Sequence, residues 1–262
     1  MSLIVDYRRQ QAAQAQLDQI LKNPNSALLV HYSCESFYKT DGRSPRITSI
    51  AARRYGSGQT ISFSIHKMAE IDCVPMDRIR DHYDALERKM LDEFYEFIAE
   101  NAHVKWVHWN MRDENYGFEA IKRRYQVLGG SPRASVPEQN RIDLARLLVD
   151  RYGRDYTGHP RLESLVMSNA MTTTGFLNGQ EESDAWDQGR FLDLHRSTLR
   201  KVDLFGAIIS RVEDGSLKTQ SGWLARVLGA VQAHPVISGL VLFGSLAGAL
   251  AALVNGAQWL LS

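Results

Sequence analysis

The sequence predicts an α/β domain, a mixed sheet flanked by helices, with a transmembrane helix at its C-terminal end. Three observations predict it. Short apolar runs alternate with longer stretches of helical periodicity. A glycine-bearing turn joins two β-rich segments. The segment Val236–Ser262 carries no charged side chain, whereas the chain before it is charge-rich.

In chain order, residues 8–22 are rich in alanine and glutamine and read as a helix that stops at Asn23-Pro24. Ala27–Ser33 is a short apolar run, the pattern of a buried strand. Arg46–Tyr55 and Gln59–His66 form a hairpin around Gly56-Ser57-Gly58. Pro75 opens a helix over Met76–Asn101, in which Ile79, Tyr83, Leu86, Met90, Phe94 and Phe97 recur at helical spacing. Val104–Trp109 is a second short strand, and Glu114–Leu128 a helix stopped by Gly129-Gly130. Helices over Ile142–Tyr152 and Arg161–Ala170 and a helical region over Glu181–Val212 follow. The expected divisions are an N-terminal helix (1–26), the sheet domain (27–212), an amphipathic linker helix (213–234) and a membrane span (235–262).

A span of the hydrocarbon core takes ~20 mostly apolar residues, and Val236–Leu261 is long enough. A buried helix in a soluble oligomer is the competing explanation, but ordinary buried helices are shorter, ~10–14 residues. Gly244 and Gly248 have the GxxxG spacing that lets spanning helices pack closely, so a homo-oligomer or protein complex is expected; simple abundance of small residues gives the same pattern. Pro235 marks the break before the span, and Ser221–Val231 is amphipathic. Arg226 and Lys218 are the last cations before the apolar segment, and the N-terminus lacks the apolar core of a signal peptide. A single pass with the sheet domain in the cytoplasm is the expectation. Cys34 and Cys73 are too few for a disulfide framework and form no CxxC pattern. The net charge of +1 gives no strong global field toward nucleic acid or anionic lipid.

Four local patterns bear on chemistry: Val30–Phe37 (VHYSCESF) on the first strand, His108–Asp113 (HWNMRD) after the later strand, Ile142–Leu148, and His195–Asp203 (HRSTLRKVD). Their succession resembles the DEDD superfamily of 3′-5′ exonucleases, which have the ribonuclease H-like fold. The resemblance covers about residues 27–210; the hairpin and His108–Asp113 match best. It implies a site where two divalent metals, Mg²⁺ or Mn²⁺, clamp the attacking water and the leaving oxygen, held by several carboxylates.

Glu35 matches the second acid of the first motif, Asp113 the acid of the second, and His195 the general base. Ser33 stands where the first aspartate belongs, and the last acid position falls near Arg200 or Lys201, with Asp203 about a turn further on. A cation there would repel metals and could instead neutralise Glu35 and Asp113. The expected reading is therefore a catalytically degenerate, membrane-anchored exonuclease-like domain. It would bind nucleic acid, a nucleotide or a partner protein and act through its apolar helix, as a toxin or antiviral-defence effector does. The alternative is an active, metal-dependent 3′-5′ exonuclease tethered to the membrane, with Glu35, Asp113, His195 and Asp203 catalytic, Glu35 and Asp113 binding metal, and a shifted register bringing in Asp203. Asp41 and Asp143 are outlying candidates. His108, Asn110, Arg196, Arg200 and Lys201 are candidates for holding nucleic acid or another anion.

Ordinary roles are open to each of these residues. Glu35 could be a surface acid, Asp113 the N-cap of the following helix, His108 a core histidine, and His195–Lys201 a solvated helix face. Trp106 and Trp109 are packing candidates, with base stacking as the alternative.

Overall fold

The computed structural model describes residues 3–36, 43–112 and 115–220. Asp41, Asp113, the amphipathic stretch from residue 221, and the expected span with Gly244 and Gly248 lie outside the described residues. Among the described residues no helix is long and apolar enough to cross a membrane.

Helix α1 (Leu3–Lys22) buries Ala13, Leu17 and Ile20, spaced three and four apart as one helical face requires. Pro24 cannot continue its hydrogen-bond ladder and opens a 3₁₀ turn instead. β1 (Ala27–Cys34) is buried from Ala27 to Ser33, which is what an apolar run without alternation means: both its faces are covered. β2 (Ile47–Arg54) and β3 (Thr60–Ser64) form the expected hairpin. The remaining strands are β4 (Lys105–His108) and β5 (Arg141–Asp143).

The strands stand in the order β3-β2-β1-β4-β5. β1 pairs antiparallel with β2 and parallel with β4; β2–β3 is antiparallel and β4–β5 parallel. The chain is thus an α/β fold with a five-stranded mixed sheet flanked by helices. One apolar core joins Leu28, Val30 and Trp106 of the sheet to Met90, Phe94 and Ile98 of α3 (Tyr83–Asn101) and Ile121 of α4 (Phe118–Val127). The other face joins Leu29, Ala51 and Val107 to α1, to α5 (Leu144–Tyr152) and α6 (Arg161–Ser168), and to Phe205, Ile208 and Ile209 of α8 (Phe191–Glu213). A buried ion pair ties α3 to α4: Arg124 grips Glu87 with Nη2 at 2.6 Å, and Glu87 also accepts the Ile47 N–H at 2.7 Å.

Several elements differ from the sequence expectation for local reasons. The strand expected to reach His66 ends at Ser64, and Ile65–Ile71 is helix α2. The helix expected from Met76 begins as a 3₁₀ turn to His82. α4 starts at Phe118, so Gly117 and not Asp113 is its N-cap. Gly117 has φ 154°, and a Cβ there would lie 2.5 Å from the Met111 carbonyl oxygen, so the chain must finish this crossing before a helix can begin. β5 takes the first residues of the segment read as helix from Ile142, because pairing with β4 captures them. The region Glu181–Val212 splits into α7 (Gly179–Asp187) and α8 at Gly189, whose φ is 70°.

α8 ends at Glu213, and residues 214–220 are turn and extended chain against the domain. Leu217 is buried, Asn169 bonds both N–H and C=O of Lys218, and the Gln220 N–H donates to Tyr156 O at 2.7 Å. A domain fragment therefore has to run to Gln220.

Candidate functional site

The carboxyl end of a central strand beside a parallel neighbour is where open α/β sheets place their sites. Here that end carries Ser33 and Cys34 of β1, with Glu35 just beyond the strand. A cleft of about 330 Å³ opens over it, lined by Tyr32, Ser33, Glu35, Tyr116, Gln180 and Glu182 among others. Tyr32 and Tyr116 stack with ring centroids 4.6 Å apart.

Behind the cleft wall, joined to it through Ser33 and Glu182, lies a buried polar cluster built on α8. Leu194, Ser197, Thr198 and Lys201 follow at i, i+3, i+4 and i+7, one helical face, and all four are buried. Lys201 Nζ lies 2.7 Å from Glu182 Oε1 on α7. The same oxygen accepts from Ser33 Oγ at 3.0 Å and Ser197 Oγ at 2.9 Å. Ser33 Oγ is 2.8 Å from Thr198 Oγ1, which is 2.7 Å from Ser49 Oγ. Thr198 Oγ1 also donates to the Leu194 carbonyl at 2.9 Å, so it accepts from Ser49, while Ser33 and Ser197 donate to the carboxylate. The capping box of Asn178 and Glu181 fixes the first turn of α7 and so the position of Glu182.

The residues singled out from the sequence are only partly gathered. Ser33 lies in the cluster and Glu35 in the cleft wall. Glu35 is buried and closes the β1–β2 end: its Oε1 accepts the Arg46 N–H at 2.9 Å. Lys201 neutralises Glu182, an acid the sequence patterns did not single out, rather than Glu35. Asp203 turns to Arg53 (3.1 Å) and Arg200 (3.9 Å), two residues round the helix from Lys201, so it does not join Glu35.

The basic residues of α8 do not form one patch. Arg196 is exposed near Asp193, Arg200 donates to Thr174 O at 2.9 Å, and Lys201 is buried. His195 packs against His66, ring centroids 4.8 Å apart. His108 is a core residue, 2 % exposed: its Nδ1 accepts the Met111 N–H and its ring meets the edge of Phe118. Asn110, at φ 56°, donates its backbone N–H to Asp143, which also caps α5. Trp106 and Trp109 are buried among aromatic neighbours, which leaves no face for a base.

Two divalent metals do not fit the donors described. Ser33 supplies a neutral oxygen already spent on hydrogen bonds, Glu182 holds an ammonium, and Glu35 is committed to Arg46. Among the described residues no three His, Cys, Asp or Glu side chains converge as a metal-binding group. Comparison with protein families, with curated proteins and with solved structures finds no match for this chain.

Glu182, Ser49, Ser197 and Thr198 were missed by motif reading. The signal that would have found the last two was in α8 itself: polar residues standing at positions of the buried face.

Lys201→Met leaves Glu182 without its counter-charge and should cost about 3–5 kcal/mol, read as a lower urea midpoint of residues 1–220. Adding Glu182→Gln should recover much of that loss, because no unpaired charge then remains.

Burial, the largest cause in each case, takes both His108 and His195 down to about 4. Unfolded histidines take up protons below about 6.5, while these two stay neutral in the fold until near 4. Their contribution is complete above pH 6.5 and is lost as pH falls toward 4. The slope is up to about 1.4 kcal/mol per pH unit for each. Between pH 6.5 and 5 the loss should reach about 3–4 kcal/mol; a His108→Gln, His195→Gln chain should show a shallower slope in the same denaturation series.

Proposed function

We propose that this chain is a ribonuclease H-like domain of exonuclease type that has given up two-metal catalysis and works as a membrane-tethered binding protein. It holds a nucleic-acid end or a nucleotide in the cleft over β1 and passes that event to the apolar segment 236–261, as an effector of toxin or antiviral-defence type. The strand order and directions, an antiparallel hairpin beside a parallel pair with the first strand central, support the resemblance read from the sequence. The observation that carries the loss of catalysis is Lys201. It stands in the region where the resemblance places the last acid, and its ammonium is 2.7 Å from Glu182. A fixed internal cation serves the carboxylate as a metal would, without an open coordination position for water. The tether rests on the sequence: Val236–Leu261 has the length and apolarity of a span.

The test uses the full chain in mild detergent with end-labelled single-stranded DNA and RNA and Mn²⁺. Binding without shortening is expected. Stepwise 3′ shortening that disappears in Asp113→Ala would make the chain an enzyme and overturn the reading. Neither binding nor shortening would remove nucleic acid from it and turn attention to a protein partner.

The effector role has its own readout. Overexpression should slow growth of a bacterial host only when segment 236–261 is present. Gly244→Leu should relieve that effect if close helix packing is the working step.

A further inference from the structure

A second polar feature lies apart from the cleft, where β3 runs into α2 and α8 packs on both. Ser64 ends β3, and His66 is the second residue of α2. His195 reaches the same place from the second turn of α8. Ser64 stands opposite Ser49 in the β2–β3 ladder, and Ser49 touches Thr198, one turn along α8 from His195. All three residues are more than nine-tenths buried: Ser64 0 %, His66 6 % and His195 5 % exposed. Three of their atoms, Ser64 Oγ, His66 Nδ1 and His195 Nε2, are buried with no hydrogen-bond partner.

Burying a polar atom unpaired costs about 1–3 kcal/mol, and the unpaired nitrogens of two adjoining rings call for a common occupant. The two imidazole rings are 4.8 Å apart and tilted by 46°. Two imidazoles at Zn–N distances of about 2.0–2.1 Å in a tetrahedral arrangement hold their centroids at a comparable separation, about 5 Å. A single hydrogen-bonded water would satisfy two such atoms as well, but it would not select for two histidines.

We propose that His66 and His195 form a binding site for one divalent ion of the zinc class. Neutral imidazole is the ligating form. Burial holds both histidines below their ordinary value; for His66 the charge of Glu70 opposes this while Lys67 and Arg196 add to it, and for His195, His66 and then Lys67 add to it. Those two cations are engaged elsewhere: Lys67 Nζ bonds Ser62 Oγ at 3.0 Å, and Arg196 lies near Asp193. Among the described residues no third His, Cys, Asp or Glu converges on the pair, so the protein supplies two imidazoles. Water completes the shell. The ion would pin α2 to α8 across the sheet edge, next to but independent of the Glu182–Lys201 cluster.

The test needs no nucleic acid, so its outcome is separate from that of the cleft. The untagged full chain is stripped with EDTA in mild detergent and titrated with Zn²⁺ by calorimetry. Zinc X-ray absorption is then recorded on the loaded chain. One equivalent bound, with two imidazoles in the zinc shell, is expected. His66→Gln and His195→Gln should each weaken binding at least about tenfold, and His103→Gln, at an exposed position, should not. Urea midpoints of all variants in EDTA separate lost ligation from lost folding; the absorption spectrum of the parent stands even if a variant fails to fold. No stoichiometric binding, a zinc shell without two imidazoles, or unchanged affinity in a folded His66→Gln or His195→Gln chain overturns the site.

Discussion

The ion pair between Glu182 and Lys201 is the constraint around which the cleft is arranged. Both groups are largely withdrawn from water, with side-chain exposures of 17 % and 7 %. Neither can be removed singly without leaving a charge in a low-dielectric interior. The pair fixes α7 against α8, and the hydroxyls of Ser33, Ser49, Ser197 and Thr198 are drawn into line behind it. Because Ser33 and Ser49 belong to neighbouring strands, the same cluster locks the two helices onto the sheet at the mouth of the cleft.

That arrangement keeps the carboxylates at this strand end stable by an internal cation. Carboxylates crowded at a strand end repel one another unless a cation sits among them. Here the cation is covalently part of α8. Its field is spent on Glu182, Glu35 is turned to the backbone of Arg46, and Asp203 is held by Arg53 on another side of the helix. What remains above is a cleft walled in part by the stacked rings of Tyr32 and Tyr116.

The elements with strong local signals were legible. β1 announced its burial by an unbroken apolar run, and the β2–β3 hairpin by the Gly56–Gly58 turn. α1 was legible because Pro24 ends it. β5 was not, since three residues carry no period of their own and only the edge of β4 makes them a strand. The start of α4 was misplaced because the crossing at Gly117 is a close backbone approach, which leaves no trace in hydrophobic patterning. Ser33, Glu35 and Lys201 stand out in the sequence patterns, but the partner of Lys201 sits on a separate helix. Nothing in the spacing of Glu182 announces it.

By itself the sequence determined the α/β class of the fold and the charge-free character of the C-terminal segment. These are properties of composition and short-range period, which act through burial and need no knowledge of distant contacts. Only the tertiary structure decided which way the side chains of α8 face. A helix turns by 100° per residue, so Lys201 enters the cluster while Asp203, two residues later, leaves it. The same rotation sends His195 to His66 and Arg196 to the surface. Partners of this kind are fixed by how helices dock on the sheet, and docking depends on all the buried surfaces at once.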